Sequence, residues 1–321
     1  MKPELECLTD SEVASLVRAV ARSHSWDDDT VRLAVVDRRR TRTSHLYRCQ
    51  GDNLDLVVKV FLRADDDPQV RYESLRCLRD RAFNTYDDVD VPDALGWSRD
   101  PPALVMQYIQ GVDASAELLA AIGAVGRPQP GTKHTLPSEV MARAGDILGS
   151  IHNSFPAPGD SPSEDGPTRL ARRVLAAPMV LDPSSRCIRV GDFRLQNLRR
   201  SPDGRWWLLD PPLLDSWGPA YADIAWFFCS LHRLLMREGN RRIDRVETLL
   251  GRLREPFLEA YRSAGPVDPT VASARSAIAT YECESFLIRG LRHIRRGELG
   301  PGLEALSCAR RRRPSMRRNS K

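Results

Sequence analysis

The stretch from Val190 to Pro212 reads VGDFRLQNLRRSPDGRWWLLDPP and sets Asp192, Asn197 and Asp210 beside short apolar runs. Acceptor side chains placed there either cap a turn or hold a cation, and the neighbouring arginines leave plain ion pairing open. One chemistry uses all three. Phosphoryl transfer from a nucleotide needs a cation to align the phosphates and a carboxylate to orient the attacking hydroxyl. It also needs acceptor side chains to fix the Mg²⁺ that neutralises phosphate oxygens. One Asp for the hydroxyl, with an Asn and a second Asp for the metal, is the kinase-type set. Here Asn197 lies five residues after Asp192, and Asp210 thirteen after Asn197.

The first third of the chain carries the complement. Lys59 sits inside the apolar run LVVKVF, and Glu73 follows fourteen residues later on a stretch of helical period. A strand lysine and a glutamate on the adjacent helix can pair, which aims the ammonium at phosphates. The run LVMQYIQG then supplies a strand leading to a hinge, where the backbone of Gln107, Tyr108 and Ile109 can meet an adenine edge.

These residues need elements to position them. Thr9 or Asp10 caps a helix on which Val13, Leu16, Val17 and Val20 recur at helical spacing. TVRLAVVDR, HLYRCQ and DLVVKVFLR read as strands, the last two joined by the hairpin signal GDNL. DPQVRYESLRCLRDRA returns to helical period, and PALVMQYIQG is a strand ending at Gly111. Beyond it, ASAELLAAIGAV and SEVMARAGDILGSIHNSF read as helices. RWWLLDPPLLD begins as a strand, and three long helices follow from Ala220. The organisation expected is an N-terminal helix (1–26), a strand-rich nucleotide-binding lobe (27–110), a helical catalytic and acceptor-binding lobe (111–308) and a basic disordered tail (309–321).

In order and spacing these motifs resemble the aminoglycoside phosphotransferase and choline kinase-like family, the small-molecule relatives of protein kinases. VGDFRLQN is similar to that family's H-G-D-x-x-x-x-N, WWLLDPP to its strand-end Asp, and YADIAWF to its following helix start. LVMQYIQG resembles its hinge strand and GDILGSIH its small-residue helix with a late histidine. The resemblance spans Val31 to Leu235. It implies an α+β, two-lobed protein-kinase-like fold with ATP and Mg²⁺ as cofactors. It makes Asp192 the catalytic carboxylate, with Arg194 reaching the transferring phosphate. Asn197 and Asp210 become the metal ligands, and Lys59, supported by Glu73, the phosphate holder. Gln107, Tyr108 and Ile109 meet adenine, and Asp223 braces the catalytic loop through backbone hydrogen bonds.

Two departures stand out. Val190 replaces the usual histidine, which predicts a more loosely held loop. The segment DRRRTRTSHLYRC, expected over the phosphates, has no glycine to let its backbone approach them. Either Arg39, Arg40, Arg42 and the hydroxyls of Thr41, Thr43 and Ser44 compensate, or the segment is a solvated basic hairpin. His152 reads as a helix-end packing residue.

The 321 residues, 41% hydrophobic and 28% charged, suit a soluble globular protein with a sizeable core. No apolar run has membrane-spanning length, and the N-terminus lacks a signal-peptide core, so a cytoplasmic location is expected. Seven scattered cysteines without a C-x-x-C pair argue against zinc or a redox dithiol. The net charge of +5 comes largely from the end, CARRRRPSMRRNSK. Nucleic acid is not the expected partner, whereas an anionic membrane surface is one the tail could hold.

Between His152 and Val190 the chain is short and Pro-rich. Its acidic residues are few: Asp160, Glu164, Asp165 and Asp182. A polycationic aminoglycoside would want a carboxylate-rich cleft, so a small molecule, sugar or lipid-linked glycan is the expected acceptor. The reading is a kinase moving the ATP γ-phosphate to an alcohol. The alternatives are a pseudokinase-like nucleotide-binding or scaffold protein, and a membrane- or nucleic-acid-associated module acting through the basic tail.

Overall fold

Thr9 starts the first helix. Its hydroxyl accepts the Glu12 N–H at 3.3 Å while the Glu12 carboxylate accepts the Thr9 N–H at 2.7 Å, a reciprocal cap that opens α1, Asp10–Ser23. The computed structural model describes residues 7–24, 33–41, 43–51, 54–63, 66–84, 86–123, 136–158, 185–210, 214, 217–239 and 243–312. It divides into two compact units. One comprises Met1–Gly111 with Arg199–Leu213, the other Val112–Leu198 with Leu214–Lys321. The chain thus returns to the first unit after Leu198, and this return carries Asp210 into it.

The first unit is built on an antiparallel sheet of order β1-β2-β3-β6-β5. Its strands are β1 (Ala34–Arg40), β2 (Ser44–Gln50), β3 (Asp55–Phe61), β5 (Ala94–Arg99) and β6 (Pro102–Gln107). Side chains alternate along a strand, so β3 sends Leu56, Val58 and Val60 into the core formed with Val13, Leu16, Val17 and Val20 of α1. That packing leaves Lys59 on the other face, opposite Leu46 and Leu104. Helix α2 (Pro68–Leu78) is capped by Asp67, whose carboxylate accepts the Gln69 N–H at 2.8 Å, and runs into one π-helical turn, Arg79–Phe83. The short β4 (Val89–Asp90) pairs in parallel with β10 (Trp206–Leu208), anchoring the returning segment.

β5 was not evident from the sequence. Gly96 interrupts its apolar pattern because a Cβ there would come within 2.5 Å of Val20, so the glycine is what lets α1 lie close on the strand.

The second unit opens with β7 (Val112–Asp113), α3 (Ala114–Ala121) and α4 (Pro137–Ser154). β8 (Arg186–Ile188) pairs antiparallel with β11 (Trp217–Pro219), and β9 (Leu198–Arg200) leads the chain out. α5 (Ala220–Gly239), α6 (Ile243–Ala264), α7 (Ala272–Arg295) and α8 (Leu299–Arg312) complete it. Phe193, Phe227, Phe228 and Phe257 are fully buried, with the Phe227 and Phe257 rings stacked 4.5 Å apart. Among the described residues no helix is long and apolar enough to cross a membrane.

The disordered tail expected from residue 309 is corrected in part. Ala309–Arg312 form the last turn of α8, while residues 313–321 lie outside the described residues. The physical reason is a buried carboxylate needing counter-charge. Glu282, nearly inaccessible, is paired with Arg254 at 2.7 Å and with Arg312 at 2.8 Å. Arg312, 8% exposed, also grips Glu247 with both Nη atoms, at 2.8 and 3.0 Å. Burial pushes the Glu247 carboxyl up, but the His232 hydrogen bond and the Arg312 guanidinium outweigh it and hold the group at about 2. The helix was missed because Gly300, Pro301 and Gly302 open it. A Cβ at Gly302 would meet the Ile294 side chain at 2.6 Å, so close helix contact overrides propensity there.

Arg312→Ala should lower the unfolding free energy by about 3 kcal/mol in urea denaturation, because it strands buried carboxylates. Exposed Arg310→Ala should change it by no more than about 0.5 kcal/mol. A depressed carboxylate pKa contributes stability above the unfolded value of 4.5 and loses it as pH falls toward about 2. The gap between wild type and Arg312→Ala should therefore narrow below pH 4.5; a constant gap would contradict the assignment.

Candidate active site

The first unit brings Lys59 and Asp210 together across 151 residues of sequence. Lys59 Nζ donates to Asp210 Oδ1 at 2.8 Å, with the lysine side chain 13% and the aspartate 35% exposed. β3 fixes the lysine's backbone, and the Phe61 ring lies 5.4 Å from its ammonium. Arg71, from the first turns of α2, reaches the same Asp210 oxygen at 3.9 Å and pairs with Asp66 at 3.1 Å.

Glu73 is a correction. It is exposed and accepts from Gln69 Nε2 at 2.9 Å, and the partner of Lys59 is Asp210. Residues two apart on a helix point to opposing sides, so a helix that turns Arg71 toward Asp210 turns Glu73 toward solvent. The fourteen-residue spacing placed Glu73 on the right helix but could not give its rotation.

At the hinge, Tyr108 N–H donates to Asp55 O at 2.8 Å and Gln107 N–H to Asp93 O at 2.9 Å. The Ile109 carbonyl accepts from Arg199 at 2.9 Å. The Tyr108 ring carries the Arg48 guanidinium 3.8 Å from its centroid. The β1–β2 turn is closed by its own side chains. The Thr41 hydroxyl accepts the Ser44 N–H at 2.9 Å and lies 2.9 Å from the Ser44 hydroxyl, so both hydroxyls close their own turn. Arg39 and Arg40 are exposed, and Arg42 lies outside the described residues.

The second unit holds Asp192, Arg194 and Asn197 in one loop. Gly191, with φ +70°, turns the chain in the left-handed region that suits glycine. Arg194 Nη2 lies 3.1 Å from Asp192 Oδ2, and its Nε donates to Asn197 Oδ1 at 3.4 Å. Asn197 Nδ2 donates to the Asp192 carbonyl at 2.9 Å, which fixes the amide with its Oδ1 on the Arg194 side.

Asp223 braces this loop from α5. Its Oδ2 accepts the Val190 N–H at 2.8 Å and its Oδ1 the Gly191 N–H at 2.9 Å. His152, fully buried on α4, places Nε2 at 3.2 Å from Asp223 Oδ2 and Nδ1 at 2.7 Å from the Tyr261 hydroxyl. With its proton on Nε2 the ring donates to the carboxylate and accepts from the tyrosine. Burial raises the Asp223 carboxyl, but the His152 hydrogen bond and the Val190 N–H carry it below the ordinary aspartate range. Burial pushes the Tyr261 phenol well up, so its proton stays in the chain. His152 is therefore a brace, a role its helical periodicity hid. The backbone N–H of Val190 is one of the groups this brace holds.

No protein-family model matches this sequence, and no curated protein does. Solved structures do. An ethanolamine kinase from Plasmodium vivax matches with a TM-score of 0.58 at 9% identity, covering 95% of this chain and 91% of that one. An amicoumacin kinase in complex with AMP-PNP, Ca²⁺ and Ami matches with a TM-score of 0.57 at 12% identity, covering 95% of this chain and 94% of that one. A glucosamine kinase bound to glucosamine, ADP and inorganic phosphate matches with a TM-score of 0.53 at 14% identity, covering 91% and 80%. The chain thus has the fold of the aminoglycoside phosphotransferase and choline kinase-like proteins, α+β with an antiparallel sheet first and helices after.

Asp223→Ala leaves two buried N–H groups and His152 without their acceptor. It should lower the unfolding free energy by about 3 kcal/mol or more, measured by calorimetry or urea titration. A change under about 1 kcal/mol would show that the brace is not needed.

Proposed function

We propose that the chain is an ATP- and Mg²⁺-dependent phosphotransferase acting on a hydroxyl of a small molecule, sugar or glycan. The observation that carries this reading is the Lys59–Asp210 pair in a kinase-like fold. It joins the cation expected for phosphates to the carboxylate expected for metal, from opposite ends of the motif order.

The donor set suits Mg²⁺. Asp210 offers a partly exposed carboxylate and Asn197 an amide oxygen, both hard oxygen ligands, and neither a thiol nor an imidazole is among them. When bound, the ion neutralises phosphate oxygens. The remaining roles fall to the chain's own groups. Lys59 aligns the nucleotide phosphates, and the backbone of Gln107, Tyr108 and Ile109 borders the adenine. Asp192 accepts a hydrogen bond from the acceptor hydroxyl and takes its proton as the bond to phosphorus forms. Arg194 orients that carboxylate and becomes a partner for the transferring phosphoryl oxygens. Asp223, His152 and Tyr261 hold the loop so that Asp192 needs no rearrangement during the reaction.

A second reading, nucleotide binding without turnover, is favoured by the glycine-free β1–β2 turn, whose Thr41 and Ser44 hydroxyls are committed to the turn itself. Substitutions separate the two. Mg²⁺·ATP should raise the melting temperature of the wild type. Asp192→Asn should keep that shift while lowering turnover by roughly 100-fold or more. Asp210→Asn should lose the Mg²⁺-dependent part of the shift. Equal loss of nucleotide binding in both variants would refute the division of roles.

A further inference from the structure

We propose that Arg71 is a second phosphate-binding cation of the nucleotide site, standing beside Lys59 on the helix where the sequence placed Glu73. The inference rests on the nucleotide reading above and adds a residue to it.

Four charged side chains of the first unit form the argument. Lys59 and Arg71 approach the same oxygen of Asp210, at 2.8 and 3.9 Å, and Asp66 holds the other arm of Arg71 at 3.1 Å. The Arg71 side chain is only 18% exposed, so its guanidinium is largely withdrawn from water and its position is defined before any ligand arrives. The cluster holds two cations and two carboxylates, and Asp210 is the carboxylate that both cations approach. If Asp210 turns to a metal-bound nucleotide, both cations face the polyphosphate it carries. A planar guanidinium then matches two phosphate oxygens at once, which a lysine ammonium cannot do.

The arrangement also answers the missing glycine-rich cover. Where backbone N–H groups cannot approach phosphate, a side-chain fork is the remaining donor of comparable geometry. Asp66 fixes the guanidinium through one Nη, and the other Nη lies 3.9 Å from Asp210. Glu73, one helix face away, is too exposed to hold Lys59.

The test is calorimetric titration of the full chain with Mg²⁺·ATP and with AMP, for wild type, Arg71→Gln and Arg71→Lys. A ligand of the outer phosphates predicts ATP affinity weakened by about 10-fold or more in Arg71→Gln, with AMP affinity unchanged within about twofold. Arg71→Lys should fall between, keeping charge but losing the fork, and it carries the comparison if Arg71→Gln does not fold. Equal weakening for ATP and AMP would make Arg71 a packing residue and overturn the proposal, as would unchanged ATP affinity in a wild type that binds ATP. The latter result leaves the nucleotide reading standing. A wild type that binds no nucleotide overturns both.

Discussion

Asp223 is a carboxylate at 1% exposure, and a charge so far from water persists only where every lone pair finds a donor. Two loop N–H groups and one imidazole meet that demand, and in doing so they fix where the loop runs. The backbone of Val190 and Gly191 is set by Asp223, so Asp192 projects from a fixed point. His152 is in turn held by Tyr261, so α4, α5, α6 and the loop share one polar chain inside an aromatic core. The same rule operates elsewhere. Glu282 draws Arg254 and Arg312 to itself and pins the end of α8, and Asp210 draws Lys59. In each case the unpaired charge would cost more than ordering its partner.

Much of this was legible in the residues. The apolar run LVVKVF placed Lys59 inside a strand, and the apolar period of LTDSEVASLVRAV gave the helix and its cap. The order Asp192, Asn197, Asp210 gave the loop and the strand-end carboxylate, and the resemblance added Asp223 as the loop's brace. The Lys59–Asp210 pair was in neither. What stayed hidden was rotational or non-local. Glu73 and Arg71 differ by two positions, and only the packed orientation of α2 decides which faces Asp210. His152 reads as core by period because it is core; its hydrogen bonds come from helices far along the chain. Arg311 and Arg312 read as tail because a basic run usually is solvated, while the acidic groups that bind them lie 30 to 67 positions away. α8 was invisible because glycine and proline begin it.

The acceptor argument drew on the Pro-rich stretch between His152 and Val190. Its acidic residues Asp160, Glu164, Asp165 and Asp182 lie outside the described residues. The choice among a sugar, a glycan and another small alcohol therefore rests on chemistry rather than on shape. The chemical expectation is common to all of them: a hydroxyl, a carboxylate to receive its proton and a nucleotide held by cations.

Phosphorus-31 NMR of the full chain with saturating Mg²⁺·ATP tests the central claim most directly, run with and without a panel of sugars, amino alcohols and glycosides. The account predicts loss of the γ-phosphate resonance matched by ADP and by a new phosphomonoester signal in the presence of a competent acceptor. ATP left intact with every acceptor and with water alone, in a sample that demonstrably binds Mg²⁺·ATP, would contradict phosphoryl transfer.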